Sequence, residues 1–204
     1  MTPPERLLLI ATTNKKKLEE FVELFKGFPV RIISLGDYPD VREVPETGQT
    51  FGENASLKAL GYAKQSGMLT LAEDSGLCCD ALEGAPGVFS ARFSGGAKSD
   101  EDNNRKLMRL LEGLPDNCRG AHYKSVIAIA EPGRIVGLAE GEVHGTIHRK
   151  PRGSNGFGYD PIFFYPPYQK TFGEVSAEMK HRVSHRAAAL GRAKMLLGQY
   201  LGLS

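Results

Sequence analysis

Cysteine is scarce in this chain: three residues in 204, and two of them, Cys78 and Cys79, are neighbours. Neighbouring cysteines rarely bridge each other and one of three must stay unpaired, so no disulfide framework is expected and a reducing compartment is. Zinc-ligand spacing is missing as well, and all three thiols read as inert packing groups. An excess of one charge is also missing. The chain has 26 Lys and Arg against 24 Asp and Glu, a formal net charge of +2, which excludes a bulk nucleic-acid or membrane-surface binder. Any electrostatic function must be local. Long apolar runs are absent too: the N-terminal MTPPERLLLIATTN is too short in apolar residues for a signal peptide or a membrane span. A cytoplasmic location, without nucleic-acid or membrane partners, is therefore expected. The chain shows no internal repeat, low-complexity tract or linker. Its length fits one domain, residues 1–204, with the composition of an ordinary globular protein, 41% hydrophobic and 25% charged.

What is present alternates between strand and helix patterns. The apolar run Arg6–Ala11 reads as a strand buried on both faces. Leu18, Phe21, Val22 and Phe25 then form one helical stripe that stops near Gly27. Val30–Leu35 reads as a second strand, so the chain opens strand–helix–strand. Thr50 and Glu53 make a capping box for a helix that ends near Gly67. Met68–Ala72 is the next strand, expected to end at the acidic pair Glu73–Asp74 and the small-residue turn Ser75–Gly76. Ser99 caps a helix over 99–112, Ala121–Ala130 and Arg134–Val143 form a long hairpin about Glu131-Pro132-Gly133, and a final helix starts near Ser184.

Five stretches carry chemistry-bearing side chains. TTNKKK (12–17) lies between a buried strand and a helix N-terminus, where free backbone N–H groups and the helix dipole suit an anion; the alternative is a capped helix with solvated lysines. It is not a P-loop, because that glycine spacing is absent. Glu73 and Asp74 at a strand end can bind Mg²⁺ or take a proton from water, or simply cap a turn. Asn54 and Lys58 share a helix face beyond Glu46 and Glu53, with Glu53 explained by its capping box and Lys58 as a phosphate ligand or a solvated lysine. GSNGFGYDPIFF (153–164) has three glycines that let backbone approach a ligand, and in Phe157 and Tyr159 two flat surfaces for a base; otherwise it is a loop entering a strand. KHRVSHR (180–186) sets cationic groups before a helix, against its dipole, which hints at function; the alternative is a solvated basic turn.

Together, ATTNKKKLEE (11–20), ETGQTFGENASLKA (46–59), AEDSGLCCDALEGAPGVFSARFSG (72–95), GFGYDPIF (156–163) and SHRAAA (184–189) resemble the inosine triphosphate pyrophosphatase family, the non-canonical purine nucleoside triphosphate diphosphatases. The match runs in order over nearly the whole chain. The resemblance implies an α/β fold with a long, twisted mixed sheet flanked by helices, two lobes and a cleft between them. It implies a homodimer that uses Mg²⁺ to hydrolyse ITP, dITP and XTP to the monophosphate and pyrophosphate. By matching positions, Thr12, Thr13, Asn14, Lys15, Lys16 and Lys17 would hold phosphates, with Lys58 beside them. Asp74 would be the general base and a metal ligand, Glu73 would support the metal, and Ser75 would touch the substrate. Phe157, Gly158, Tyr159, Asp160, Lys180, His185 and Arg186 would make the base and sugar pocket. The family often has glycine where this chain has Thr13. It often has a glutamate, counted as a metal ligand, where this chain has Pro45; Glu46 is the nearest carboxylate.

Selectivity follows from base chemistry. Hypoxanthine and xanthine carry a 6-oxo acceptor where adenine carries an amino donor, so a buried donor from His185, Arg186 or a nearby N–H would discriminate strongly. Two rival readings are a pyrophosphatase for other nucleotides, and a nucleotide sensor without turnover, which Pro45 would favour.

Overall fold

The structure is a computed structural model that describes residues 6–38, 40–95 and 99–203. Its helices are α1 (Lys15–Leu24), α2 (Phe51–Ser66), α3 (Asp100–Leu110), α4 (Ala177–His181) and α5 (His185–Leu201). Its strands are β1 (Leu7–Ile10), β2 (Arg31–Ser34), β3 (Thr70–Cys79), β4 (Gly120–Glu131), β5 (Arg134–Ile147), β6 (Phe163–Tyr165) and β7 (Lys170–Thr171). The strands form one sheet in the order β2-β1-β3-β4-β5-β6-β7. β1 pairs parallel with both β2 and β3, with α1 and α2 as the crossovers. β5–β6 and β6–β7 are antiparallel. The fold is α/β, as the alternating pattern predicts, and the sheet is mixed, as the resemblance implies.

Local chemistry explains the element ends. Asn14 caps α1 by accepting from the Lys17 N–H, and Thr50 and Glu53 form the expected reciprocal box on α2. Ser99 accepts from the Asp102 N–H at the start of α3, and Ser184 from the Ala187 N–H at the start of α5. Between β4 and β5 only Pro132 and Gly133 intervene, a link short enough to force a hairpin.

The chain divides into two compact units. The first takes in the described residues up to Asp74, then Val126–Glu140 and the chain from Ala188 onward; the second takes in Ser75–Ser125 and Gly141–Ala187. Each has its own core. In the first, Phe21 of α1, its C-cap Phe25, and Ala189, Leu190, Ala193 and Leu197 of α5 pack with Leu8, Ile10 and Leu71 of the sheet. In the second, Leu77, Leu107, Leu111, Tyr123, Phe163 and Phe172 make the main cluster.

Two expectations are corrected. The strand expected to stop at Ala72 runs on to Cys79, straight through Glu73, Asp74, Ser75 and Gly76, so the acidic pair lies inside a strand and no small-residue turn follows it. Nine of the ten residues of β3 are buried, and the two carboxylates stay there because lysines reach them. Gly76 is small for a packing reason: a Cβ there would fall on the Ser90 hydroxyl and lie 2.6 Å from the Gly87 carbonyl oxygen. The second correction concerns Cys118, which is exposed, whereas Cys78 and Cys79 are buried as expected.

The thiols yield a labelling prediction. Burial raises the Cys78 thiol and pushes Cys79 up to about 12, so only about 1 in 10⁴ of Cys79 is thiolate at pH 8. At that pH a maleimide should label the native protein once, at Cys118, and three times after unfolding, as counted by intact mass. Rapid double labelling of the native protein would contradict the buried placement.

Candidate functional site

In the first unit, charged side chains from three elements converge on β3. Lys58, two turns into α2, points its ammonium at the sheet. Its Nζ donates to Glu46 Oε1 at 2.6 Å, to the Glu73 carbonyl oxygen at 2.7 Å and to Asp74 Oδ1 at 3.3 Å. The other Asp74 oxygen accepts from Asn54 Nδ2 at 3.2 Å, and Asn54 Oδ1 accepts from the Gly48 N–H at 2.7 Å. The Glu73 carboxylate, fully buried, turns to Lys17 of α1 at 3.1 Å. Adjacent strand residues alternate in direction, so one acidic pair serves two different lysines.

The electrostatics favour a reactive carboxylate. Burial pushes Asp74 above the ordinary aspartate value, outweighing the opposing pull of Lys58 and Lys17. Burial is also the largest single influence on Lys58 and opposes its charge, but Asp74, Glu46 and Glu73 together outweigh it and hold the lysine above its usual value. Lys58 is therefore a permanent cation, and Asp74 a better proton acceptor than a solvated aspartate.

The loop before α1 borders a cavity of about 600 Å³ lined by Thr12, Thr13, Asn14 and Lys15 together with Leu35 and Tyr38. Thr12 Oγ1 accepts from the Asn14 N–H, so the loop closes on itself and hands over to the helix. Thr13, Lys15 and Lys16 are exposed and Thr12 and Lys17 half-buried.

In the second unit a separate polar set surrounds Phe157. Asp160 Oδ2 accepts from Lys180 Nζ at 2.6 Å and from the Phe157 N–H at 2.9 Å, and its Oδ1 accepts from Tyr123 Oη at 3.3 Å. The Lys180 ammonium lies 4.7 Å from the Phe157 ring centroid and the Arg186 guanidinium carbon 5.6 Å from it. Arg186, 1% exposed, also donates to Ser75 Oγ at 3.4 Å. His185 stacks on Tyr123 with ring centroids 4.7 Å apart and planes within 9°.

The residues singled out by sequence thus fall into two groups. Lys17, Glu46, Lys58, Glu73 and Asp74 meet in the first unit, with Thr12 to Lys15 on its cavity and Lys16 exposed beside them. Ser75, Phe157, Gly158, Asp160, Lys180, His185 and Arg186 gather in the second. Tyr159 departs from expectation: its ring is buried in the core and its hydroxyl donates to the Ser90 carbonyl at 2.8 Å, so it is not a flat surface for a base. Phe157 alone of the two rings stays half-buried. Tyr123 was not anticipated, although the alternating burial over Gly120–Ser125 turns it inward beside Asp160. Asp100 and Asn104 were not anticipated either.

A mixed sheet flanked by helices, with a buried carboxylate–ammonium cluster in one unit and a polar set around one aromatic ring in the other, makes this an α/β protein with two charged clusters. The chain belongs to the Ham1 family, whose model matches residues 8–195. It is 49% identical over 192 residues to the dITP/XTP pyrophosphatase of Desulforamulus reducens, covering 94% of this chain and 96% of that protein. It is 48% identical over 195 residues to the dITP/XTP pyrophosphatase of Geobacter sulfurreducens, covering 96% of each. Among solved structures, a HAM1 protein from Coxiella burnetii superposes with a TM-score of 0.87 at 39% identity, covering 95% of this chain and 99% of that one.

Proposed function

We propose that this chain hydrolyses non-canonical purine nucleoside triphosphates, ITP, dITP and XTP, to the monophosphate and pyrophosphate, as a Mg²⁺-dependent homodimer in the cytoplasm. Its Ham1 membership and the names of its relatives support the reaction. The observation that carries the chemistry is the Lys58-centred cluster around Asp74. Among the described residues no helix is long and apolar enough to cross a membrane.

The cluster fits magnesium in kind. Its donors are carboxylate oxygens, the type Mg²⁺ prefers, and one cation, the Lys58 ammonium, already reaches both Glu46 and Asp74. No group of three or more acidic, His or Cys side chains forms a metal cage among the described residues, but Mg²⁺ is commonly held by one or two carboxylates plus phosphates. Glu46 and Asp74 would hold it. When bound, the ion neutralises phosphate charge and lowers the pKa of water.

The protein's own side chains do the rest. Asp74 accepts the proton of the water that attacks the α-phosphorus, and pyrophosphate leaves. Lys58 and Lys17 neutralise phosphate oxygens, with Glu73 keeping Lys17 aimed. Thr12, Thr13, Asn14, Lys15 and Lys16 cradle the phosphate tail. Phe157 stacks on the base, and Ser75, Gly158, Asp160, Lys180, His185 and Arg186 set its polar environment.

The test is turnover of ITP, ATP and GTP with Mg²⁺, with products resolved by ion exchange. IMP and pyrophosphate from ITP alone are expected. IDP and phosphate would overturn the mechanism, and tight binding of ITP without product would make the chain a sensor.

A further inference from the structure

The turn at Phe157–Asp160 is fixed from two directions. From within, Asp160 Oδ2 accepts from the Phe157 N–H and the Asp160 N–H donates to the Phe157 carbonyl at 3.2 Å. From outside, α3 takes hold of Gly158 at both of its backbone polar groups. Asp100 Oδ2 accepts from the Gly158 N–H at 2.7 Å, and Asn104 Nδ2 donates to the Gly158 carbonyl at 3.0 Å. Asp100 and Asn104 are four residues apart and so share a helix face.

Gly158 is the point of the turn where a grip has most effect. Its φ is +62°, the left-handed region, and it directly follows the one ring of the loop that is half-buried. Asn104 is 7% exposed and Asn103, its neighbour, ties α3 to the second unit's core side by accepting from the Ser94 N–H at 2.7 Å and donating to the Ser90 carbonyl at 3.3 Å. The Ser90 carbonyl in turn accepts the Tyr159 hydroxyl. α3 is thus tied to the turn directly at Gly158 and, through the shared Ser90 carbonyl, to Tyr159 one residue on.

We propose that Asp100 and Asn104 are positioning residues that set base selectivity: by gripping Gly158 they fix the plane and height of the Phe157 ring against the cationic groups of Lys180 and Arg186. This rests on the reading of the Phe157 set as the base pocket. Base stacking tolerates every purine, because every base has a π-face; discrimination comes from hydrogen bonds whose geometry fails when the stacked base is displaced by a fraction of an ångström. A loosened ring therefore costs affinity for a 6-oxo purine while leaving the phosphate chemistry of the first unit intact.

The experiment compares wild type with Asp100→Ala, Asp100→Asn and Asn104→Ala on dITP and dATP. Each alanine variant should raise KM for dITP about five-fold, the worth of one hydrogen bond, hold kcat within about two-fold, and narrow the dITP-to-dATP ratio of kcat/KM. Asp100→Asn keeps an acceptor oxygen and should restore the wild-type KM. Gly158→Ala attacks the same point from the loop: a Cβ there meets nothing within 4 Å but strains the positive φ, so the protein folds and its KM for dITP should rise as well. That variant stands in if either alanine change on α3 prevents folding. Unchanged KM and selectivity in the folded variants, or kcat falling in step with folded fraction while KM holds, would overturn the proposal. Failure of the wild type itself to cleave dITP would instead overturn the function on which it rests.

Discussion

Asp74→Asn should abolish turnover, lowering kcat by about 10³-fold or more, because it removes the proton acceptor and a metal-holding oxygen at once. The fold should survive. Burial already raises the Asp74 pKa, so the ionised carboxylate is less favoured in the folded chain than in the unfolded one. A group shifted in that direction contributes stability below its unfolded pKa and loses that contribution as pH rises through the higher folded value. Asparagine, neutral at every pH and still able to accept from Lys58, carries no buried charge that opposes folding as pH rises, and should leave the melting temperature level or higher. Pyrophosphate release and a thermal melt on the same sample measure both halves. Turnover near wild type would remove Asp74 from the mechanism, whereas a large fall in melting temperature would mean the carboxylate is structural.

Lys180→Met should do the opposite, destabilising the protein strongly. The Lys180–Asp160 pair has side chains only 5% and 2% exposed. Truncating one partner of such a pair costs about 3–5 kcal/mol, because the other charge is left buried and uncompensated. In a chain of this length that is a fall of about 10 °C in melting temperature. Adding Asp160→Asn removes the stranded charge, keeps one oxygen to accept from the Phe157 N–H and offers an amide N–H to the Tyr123 hydroxyl oxygen, so the double variant should recover a large part of the loss. A double variant no more stable than Lys180→Met alone would show that the contact of the ammonium with the Phe157 and Phe172 rings, and not a stranded aspartate charge, is what matters.

These two residues mark how far the sequence could be read. Local signals were legible: the capping box at Thr50, the serine caps of α3 and α5, the hairpin about Pro132–Gly133 and the strand–helix–strand opening all depend on residues within one or two turns of each other. The residue types of both polar sets were legible as well, through short motifs. The length of β3 was not. Two adjacent acids look like the end of a strand unless their partners are known, and those partners, Lys17 and Lys58, come from separate helices far back in the chain. Tyr159 failed for a related reason: an aromatic in a glycine-rich loop resembles a stacking surface, and only the distant Ser90 carbonyl shows that it faces the core. The grip of Asp100 and Asn104 on Gly158 spans 58 and 54 residues and leaves no periodic trace.

Gly76 carries a consequence for how this lineage can vary. Its α-carbon is opposed by the Ser90 hydroxyl, and that hydroxyl accepts from the Leu77 N–H at 2.9 Å and donates to the Gly87 carbonyl at 2.6 Å. Replacing Ser90 by alanine would remove the nearer obstacle but strand those two backbone groups, and the Gly87 oxygen would still stand 2.6 Å from any new Cβ. No single compensating change opens the position. One residue beyond Ser75 and two beyond Asp74, β3 is closed to side-chain growth by the segment opposite, so any residue larger than glycine at position 76 must displace the Gly87–Ser90 backbone or the strand itself.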